Sequence, residues 1–410
     1  MSKRLSQNVP KLRFPEFKGD WEYFKIEDIA SVTSGGTPNR SEPSFWNGNI
    51  PWVTTSEIGQ AEIHDSIEKI TEKGLQNSSA KIFKKDTILL AMYGQGKTRG
   101  QVSILKIEAA TNQACAAIAL KSDFNSQFVY YFLFKEYENL RVLANDGSQK
   151  NLTAGLIKQY KVPVTHINEQ EKIASFLGAV DRRLTQLRHK QELLQIYKRG
   201  VMQKLFSQQI RFKQDYYTPF PDWKRKKLSD ISKPVKRSLE LEKNVPVMSI
   251  SAGFGFLNQK ERFSQVIAGS SLDKYTLIHK GEFSYNRGAS KAFPYGCIYL
   301  MKEHEEALIP FVYRTFQLTH GIKSFFAQYF LTGILDRELR KLISSSARMD
   351  GLLNIGEKDF YTLSIPFPVE EEQEKIANFI TAIDQKIEAI SRQIYHTERF
   401  KKGLLQKMFV

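Results

Sequence analysis

The sequence predicts an α+β protein composed twice: two mixed α/β globules, each followed by a long helix, with the two helices forming a coiled coil. Three observations predict it. Asn168–Ser207 and Glu371–Val410 align without a gap at an offset of 203 residues. Both carry an apolar seam at coiled-coil spacing. The stretches ahead of them repeat the same flanking residues around unlike interiors.

The paired segments share Glu-Gln-Glu-Lys-Ile-Ala, an Ala-x-Asp and a Gly-x-x-Gln-Lys-x-Phe. In the first, a 4-3 spacing runs through Ile173, Leu177, Val180, Leu184, Leu187, Gln191, Leu194, Lys198, Val201 and Leu205. The second places Ile376, Ile380, Ile383, Ile387, Ile390, Ile394, Thr397, Lys401, Leu404 and Met408 at the same offsets. A 3.5-residue period held this long is the seam of a coiled coil. Asn168 with Glu171 reads as an N-cap and its N3 partner. In the second copy Glu371 is the expected cap, and the run Glu370–Glu372 suits the positive end of the helix dipole. At about 1.5 Å per residue, forty residues make a rod of roughly 60 Å. A solitary rod would expose its stripe, so the simplest partner for each helix is the other. The residues alone leave their relative direction open.

The flanks repeat as well. Trp21 precedes Ile26, Asp28 and Ile29 as Trp223 precedes Leu228, Asp230 and Ile231. Asn151-Leu152 leads to Val162-Pro163-Val164, and Asn354-Ile355 leads to Ile365-Pro366-Phe367. Both tryptophans are read as core residues. Between the flanks, Asn49–Ile58 and Lys280–Arg287 read as strands and turns, and the aromatic-rich Phe124–Leu143 and Pro310–Tyr329 read as helices. The expected division is a globule over 1–164, a helix over 165–208, a globule over 209–367 and a helix over 368–410. One frame holding two different interiors suggests two readers of two different things.

With 60 Lys and Arg against 44 Asp and Glu, the formal charge is +16. A charge of that size favours a polyanion partner, because each neutralised phosphate releases condensed counterions. Cys115 and Cys297 are too far apart for a metal-binding pair, and two cysteines make no disulfide framework. No apolar run approaches the roughly 20 residues that span a bilayer, and the basic N-terminus lacks the apolar core of a signal peptide. A cytoplasmic protein with no membrane association is expected. The sequence contains no His-Glu-x-x-His, Gly-x-Ser-x-Gly or dinucleotide fingerprint, so no catalytic, cofactor or metal residue is assigned.

One stretch imitates a phosphate loop. Ala91, Gly96, Lys97 and Thr98 satisfy its relaxed pattern, but the physics requires a helix to begin at the lysine. Gly100 would break such a helix in its first turn, and Val102 and Ile104 alternate with polar residues as a strand does. The stretch therefore predicts a hairpin. Its turn carries Tyr93, Gln95, Lys97 and Arg99, which suit contact with phosphates or base edges. The second half offers a comparable loop with Asn286, Arg287, Ser290 and Lys291. A further tier lies in the loops Asp146–Asn151, with Ser148, Gln149 and Lys150, and Ser344–Asn354, with Ser346 and Arg348. Two other classes stay open on this reading: a coiled-coil scaffold with only sequence-blind attraction to DNA, and a P-loop enzyme.

Taken together these residues resemble the specificity subunit of type I restriction–modification systems. The resemblance rests on the paired Glu-Gln-x-Lys-Ile-Ala helices, the opening Leu12-Arg13-Phe14-Pro15-Glu16-Phe17 followed by Trp21, and Pro51–Ser56. Thr111-Asn112-Gln113-Ala114 and Lys280-Gly281-Glu282-Phe283 add to it. The second opening, Tyr217–Trp223, departs from the full motif. The resemblance implies two target-recognition domains spaced by two antiparallel helices, each domain reading one half of a bipartite, asymmetric double-stranded DNA site. It implies a non-catalytic subunit that binds two adenine-N6 methyltransferase subunits, in a core able to recruit two translocase–endonuclease subunits. AdoMet, ATP and Mg would then belong to those partners, with no cofactor on this chain. The rod would cap the spacing of half-sites at about 17 base pairs.

Overall fold

Trp21 roots the first lobe: it is 1% exposed and packs against Phe128 and Phe409. The structure is a computed structural model describing residues 8–94, 96–143, 151–238, 245–260, 274–343 and 352–410. It divides into two units, Met1–Arg188 with Arg392–Val410, and His189–Ser391.

In the first unit the chain runs through β1 (Glu22–Lys25), α1 (Ile26–Ile29), β2 (Ala30–Ser34), β3 (Trp46–Val53), β4 (Glu62–Ile63) and β5 (Glu68–Ile70). Then come α2 (Glu72–Gln76), β6 (Ile82–Phe83), β7 (Ile88–Ala91), β8 (Val102–Leu105), β9 (Ala109–Thr111) and β10 (Cys115–Leu120). The aromatic α3 (Ser126–Lys135), α4 (Tyr137–Leu143), α5 (Ala154–Gln159) and β11 (Lys161–Val164) lead into α6 (Ile167–Phe206). One sheet has the order β2-β10-β7-β8-β4 and a second β5-β3-β9-β6, while β1 pairs with β11. Strand β7, Ile-Leu-Leu-Ala, is buried at every residue, the continuous apolar run of a strand covered on both faces.

The second unit repeats the plan with β12 (Lys224–Lys227), α7 (Leu228–Ile231), β13 (Ser232–Pro234), β14 (Met248–Ser251), β15 (Gly255–Asn258) and β16 (Thr276–His279). It continues with β17 (Phe283–Asn286), β18 (Cys297–Leu300), β19 (Glu306–Ile309) and β20 (Arg314–Leu318). Helices α8 (Lys323–Tyr329), α9 (Asp336–Leu342) and α10 (Glu357–Tyr361), strand β21 (Ser364–Phe367) and the long α11 (Glu370–Met408) complete it. Its sheet β13-β20-β17-β18 matches β2-β10-β7-β8, and β12 pairs with β21 as β1 does with β11. Val247 bridges Leu308 in parallel, so β14 meets β19 as β3 meets β9.

Each long helix gives one half to each unit. In the first unit Asp181 pairs with Lys401 at 2.6 Å and Arg188 with Glu398 at 2.6 Å. In the second, Gln191 Nε2 donates to Ser391 Oγ at 2.6 Å, and Lys198 pairs with Asp384 at 2.7 Å. As α6 ascends α11 descends, so the helices are antiparallel. Ile173, Leu177, Leu184, Leu187, Ile376, Ile380, Ile383 and Ile390 are buried, and Val180, Leu194, Ile387 and Ile394 half-buried.

The repeated Glu-Gln has a structural cause. Glu169 and Glu372 are 1% and 0% exposed, and each takes a two-pronged bond from an arginine, Arg13 or Arg211. Next to them, Gln170 Oε1 accepts from Asn125 N at 2.9 Å and Gln373 Oε1 from Ile322 N at 2.8 Å. Each glutamine thereby holds the start of the aromatic helix of its lobe. The opening motif is thus present twice. Ile210-Arg211-Phe212 stands where Leu12-Arg13-Phe14 does, with Phe14 edge-on to Phe176 and Phe212 edge-on to Phe379. Leu12 N donates to Lys407 O and Ile210 N to Lys204 O. The departure expected at Tyr217–Trp223 is therefore a shift: Arg13 precedes Trp21 by eight residues, and Arg211 precedes Trp223 by twelve.

Two local expectations change. Helix α6 begins at Ile167, so Asn168 lies in its first turn and the capping position is His166, whose Nδ1 accepts from Asn168 N at 3.3 Å. Likewise α11 begins at Glu370, with Glu371 inside. The buried glutamate and glutamine position these ends, and His166 rather than Asn168 caps the first of them. Pro310–Leu318 is not helical: after a turn, β20 runs between β13 and β17 with Thr315, Phe316 and Leu318 buried and Gln317 exposed.

Candidate nucleic-acid interface

Strand order decides which turns meet. In the first unit β10 is antiparallel to both β2 and β7, and β3 is parallel to β9. The segments after β2, β3 and β7 therefore gather at one end of the lobe with the β9–β10 turn. Hydrogen bonds stitch them: Gly36 N to Thr111 O at 2.9 Å, Asn112 N to Val53 O at 3.0 Å, and Met92 N to Ala114 O at 2.9 Å. Leu152 N adds a bond to Met92 O at 3.1 Å, which ties the end of the second-tier loop to the base of the hairpin.

The phosphate-loop lookalike is that hairpin. β7 and β8 are antiparallel with Ile88 opposite Ile104, and no helix starts at Lys97. The hairpin end is anchored by Tyr137, whose hydroxyl donates to Lys97 O at 2.6 Å, while the Tyr93 and Lys97 side chains are exposed and Arg99 is half-buried. Gly100 adopts φ 85° against Arg141 and Tyr137, where a side chain would be strained. Lys97 also lines a cleft of about 1390 Å³ whose walls include Arg182 and Lys402. Gln95, Ser148, Gln149, Lys150, Ser346 and Arg348 lie outside the described residues.

The second unit gathers its turns in the same way. Asn286 Nδ2 donates to Ile250 O at 3.0 Å, and Arg287 Nε to Val312 O at 3.1 Å. Leu353 N donates to Arg287 O at 3.0 Å, the counterpart of Leu152 on Met92. Of the candidates here, Asn286 and Ser290 serve the loop itself: Asn286 Oδ1 accepts from Gly288 N, and Ser290 Oγ from Phe293 N. Arg287 is half-buried and Lys291 exposed. Beneath them, burial first and the Arg287 charge second hold the Arg314 guanidinium below its ordinary value, a sign of positive charge gathered at this end.

The structure adds residues that sequence reasoning passed over. Thr37 bonds Gln113 through its hydroxyl, placing both at the gathered end of the first lobe. In the second, Phe254 and Phe311 are exposed. A signal existed for one of them, since a phenylalanine flanked by Gly253 and Gly255 cannot belong to a regular apolar pattern. Among the described residues no group of three or more His, Cys, Asp or Glu is placed to hold a metal, and no helix is long and apolar enough to cross a membrane. Both cysteines are free and buried, and burial pushes the Cys297 thiol up to about 12.

Comparison with known proteins agrees with this construction. Residues 18–196 match the family model of the type I restriction modification DNA specificity domain. The type I restriction enzyme MjaIX specificity subunit of Methanocaldococcus jannaschii is 26% identical over 95% of this chain and 92% of its own length. The EcoR124I/EcoR124II specificity subunit of Escherichia coli is 26% identical over 40% of this chain and 42% of its own. Among solved structures, the type I restriction–modification S subunit from M. genitalium aligns with a TM-score of 0.57 at 17% identity, covering 98% of this chain and 99% of that one. A chain from a study of complex assembly and conformational transition of the type I system aligns with a TM-score of 0.55 at 16% identity, covering 95% and 97%. These two likenesses speak to the fold.

Proposed function

Because the chain belongs to the family of type I restriction–modification DNA specificity subunits, we propose that each of its two lobes reads one half of a bipartite, asymmetric DNA site through the gathered turns at its end. As a specificity subunit it recognises and does not catalyse. The observation that supports this reading is the same pole built twice with unlike side chains. One presents Tyr93, Lys97, Thr37 and Gln113, the other Arg287, Lys291, Phe254 and Phe311. A shared strand order with different contact chemistry is what an asymmetric target requires.

DNA and the modification and restriction subunits are its partners, and the number of methyltransferase subunits is two in this reading. Support comes from apolar side chains that the helix pair leaves outward. Tyr197 on α6 and Phe400 on α11 are 52% and 54% exposed and stand 203 residues apart, at the same register. A surface offered twice suits a partner taken twice. Two translocase–endonuclease subunits would join that core. AdoMet, ATP and Mg belong to the partner subunits in this proposal, and the complex acts on DNA in the cytoplasm. The test is single-molecule sequencing of N6-methyladenine in host DNA with and without the gene. A split motif that disappears with the gene is expected, and an unchanged methylome refutes the reading.

A further inference from the structure

The turn after β14 is Ala252-Gly253-Phe254, closed by Gly255, with both glycines at positive φ, 90° and 81°. Gly253 N donates to Tyr299 Oη at 3.0 Å, so the turn is held from beneath while Phe254 stands 81% exposed. The turn after β19 is Pro310-Phe311-Val312-Tyr313. It is pinned by Ile250 N on Tyr313 Oη at 3.2 Å and by Arg287 Nε on Val312 O at 3.1 Å, and Phe311 is 63% exposed. Because β14 and β19 lie parallel, both turns emerge at one end of the lobe, the end that carries Arg287 and Lys291. The corresponding turns of the first lobe present Thr54-Thr55-Ser56 and Asn112-Gln113 instead.

Two large apolar rings that stand exposed on tethered turns are unfavourable in water and are stabilised when something apolar covers them. The turn that carries Phe311 is bonded directly to the basic loop, which makes a polyanion the occupant of this surface. DNA offers apolar area in its base faces. We propose that Phe254 and Phe311 act as wedges that enter a base step of the half-site read by the second lobe. This inference rests on the DNA-specificity reading and deepens it. A phenyl ring has no donor or acceptor for base edges, so its selectivity comes from how readily a step unstacks, with pyrimidine–purine steps the easiest. The first lobe, with hydroxyls and two amides in those places, reads by hydrogen bonds. The two halves of the target would then be recognised by different physics.

The test uses the complex with its methyltransferase subunits, on duplexes of the motif that the wild type methylates, with 2-aminopurine placed step by step. Wild type should brighten the probe at one step within one half-site only. Phe254→Ala/Phe311→Ala should abolish that signal and weaken target binding roughly tenfold or more. Sequence-blind binding and the unfolding midpoint should stay unchanged, and Phe254→Leu/Phe311→Leu should recover part of the affinity. A double-alanine complex with wild-type fluorescence and affinity overturns the proposal. So does a loss of binding that tracks failure to assemble with the methyltransferase, which would make the rings a protein contact. A wild-type complex that prefers no DNA sequence would sink the DNA-specificity reading and this proposal together. A specific wild type with silent variants sinks the wedge alone.

Discussion

Asp181 of α6 and Lys401 of α11 meet at 2.6 Å, and the same residue types meet again in the other unit as Asp384 and Lys198, at 2.7 Å. The helices exchange roles between the pairs. Each aspartate also takes a bond from its lobe, from Tyr131 Oη at 2.8 Å or from Gln328 Nε2 at 3.1 Å, so each of these aspartates joins three elements. Asp181→Ala should cost about 2 kcal/mol, the worth of hydrogen bonds to a charged group. The effect of Asp384→Ala should be smaller, because Asp384 is 39% exposed against 21% for Asp181. Urea unfolding of both variants, with a double-mutant cycle on Lys401, checks the order.

The buried clamps should be more sensitive. Arg13→Ala or Arg211→Ala leaves a carboxylate, Glu169 or Glu372, buried without its arginine. The expected loss is about 3 kcal/mol in either unit, and lysine should rescue poorly because it cannot reproduce the two-pronged bond. Thermal unfolding of the four variants measures this, and a lysine variant as stable as wild type would contradict it.

Lys97 and Lys291 are exposed at the two poles. Replacing either by alanine should weaken binding to all DNA sequences alike and lower the slope of log K against log salt by about 1 per lysine. A slope equal to that of the wild-type complex would remove the residue from the interface.

A lobe exchange tests the division of labour. Replacing residues 12–160 by those of another family member should change one half-site and leave the other. Methylome sequencing reads the result directly. A change in both halves would mean that recognition is not divided between the lobes.

The long helices carry a prediction about spacing. Inserting or deleting one helical turn after Gln191 should change the number of unspecified base pairs between the half-sites. The readout is again the methylated motif, and an unaltered spacer in a complex that still methylates would end the idea that these helices set it.

Much of this molecule was legible in residue order. The long helices, the α+β class and the hairpin that imitates a phosphate loop all rest on local physics: an apolar period, a β alternation, and Gly100 where a helix would have to continue. Other features belong to tertiary structure alone. Helix direction is set by contacts such as Asp181 with Lys401, 220 residues apart. The second opening motif stayed hidden because Arg211 is identified by its partner Glu372, not by its distance from Trp223. The bonds that Asn286 and Ser290 accept within their own loop are not visible in residue order, and Phe254 and Phe311 share one end only because parallel strands bring their turns together. Periodicity reports which face of an element is apolar, whereas the meeting of turns depends on the order in which strands pair, a property of the whole chain.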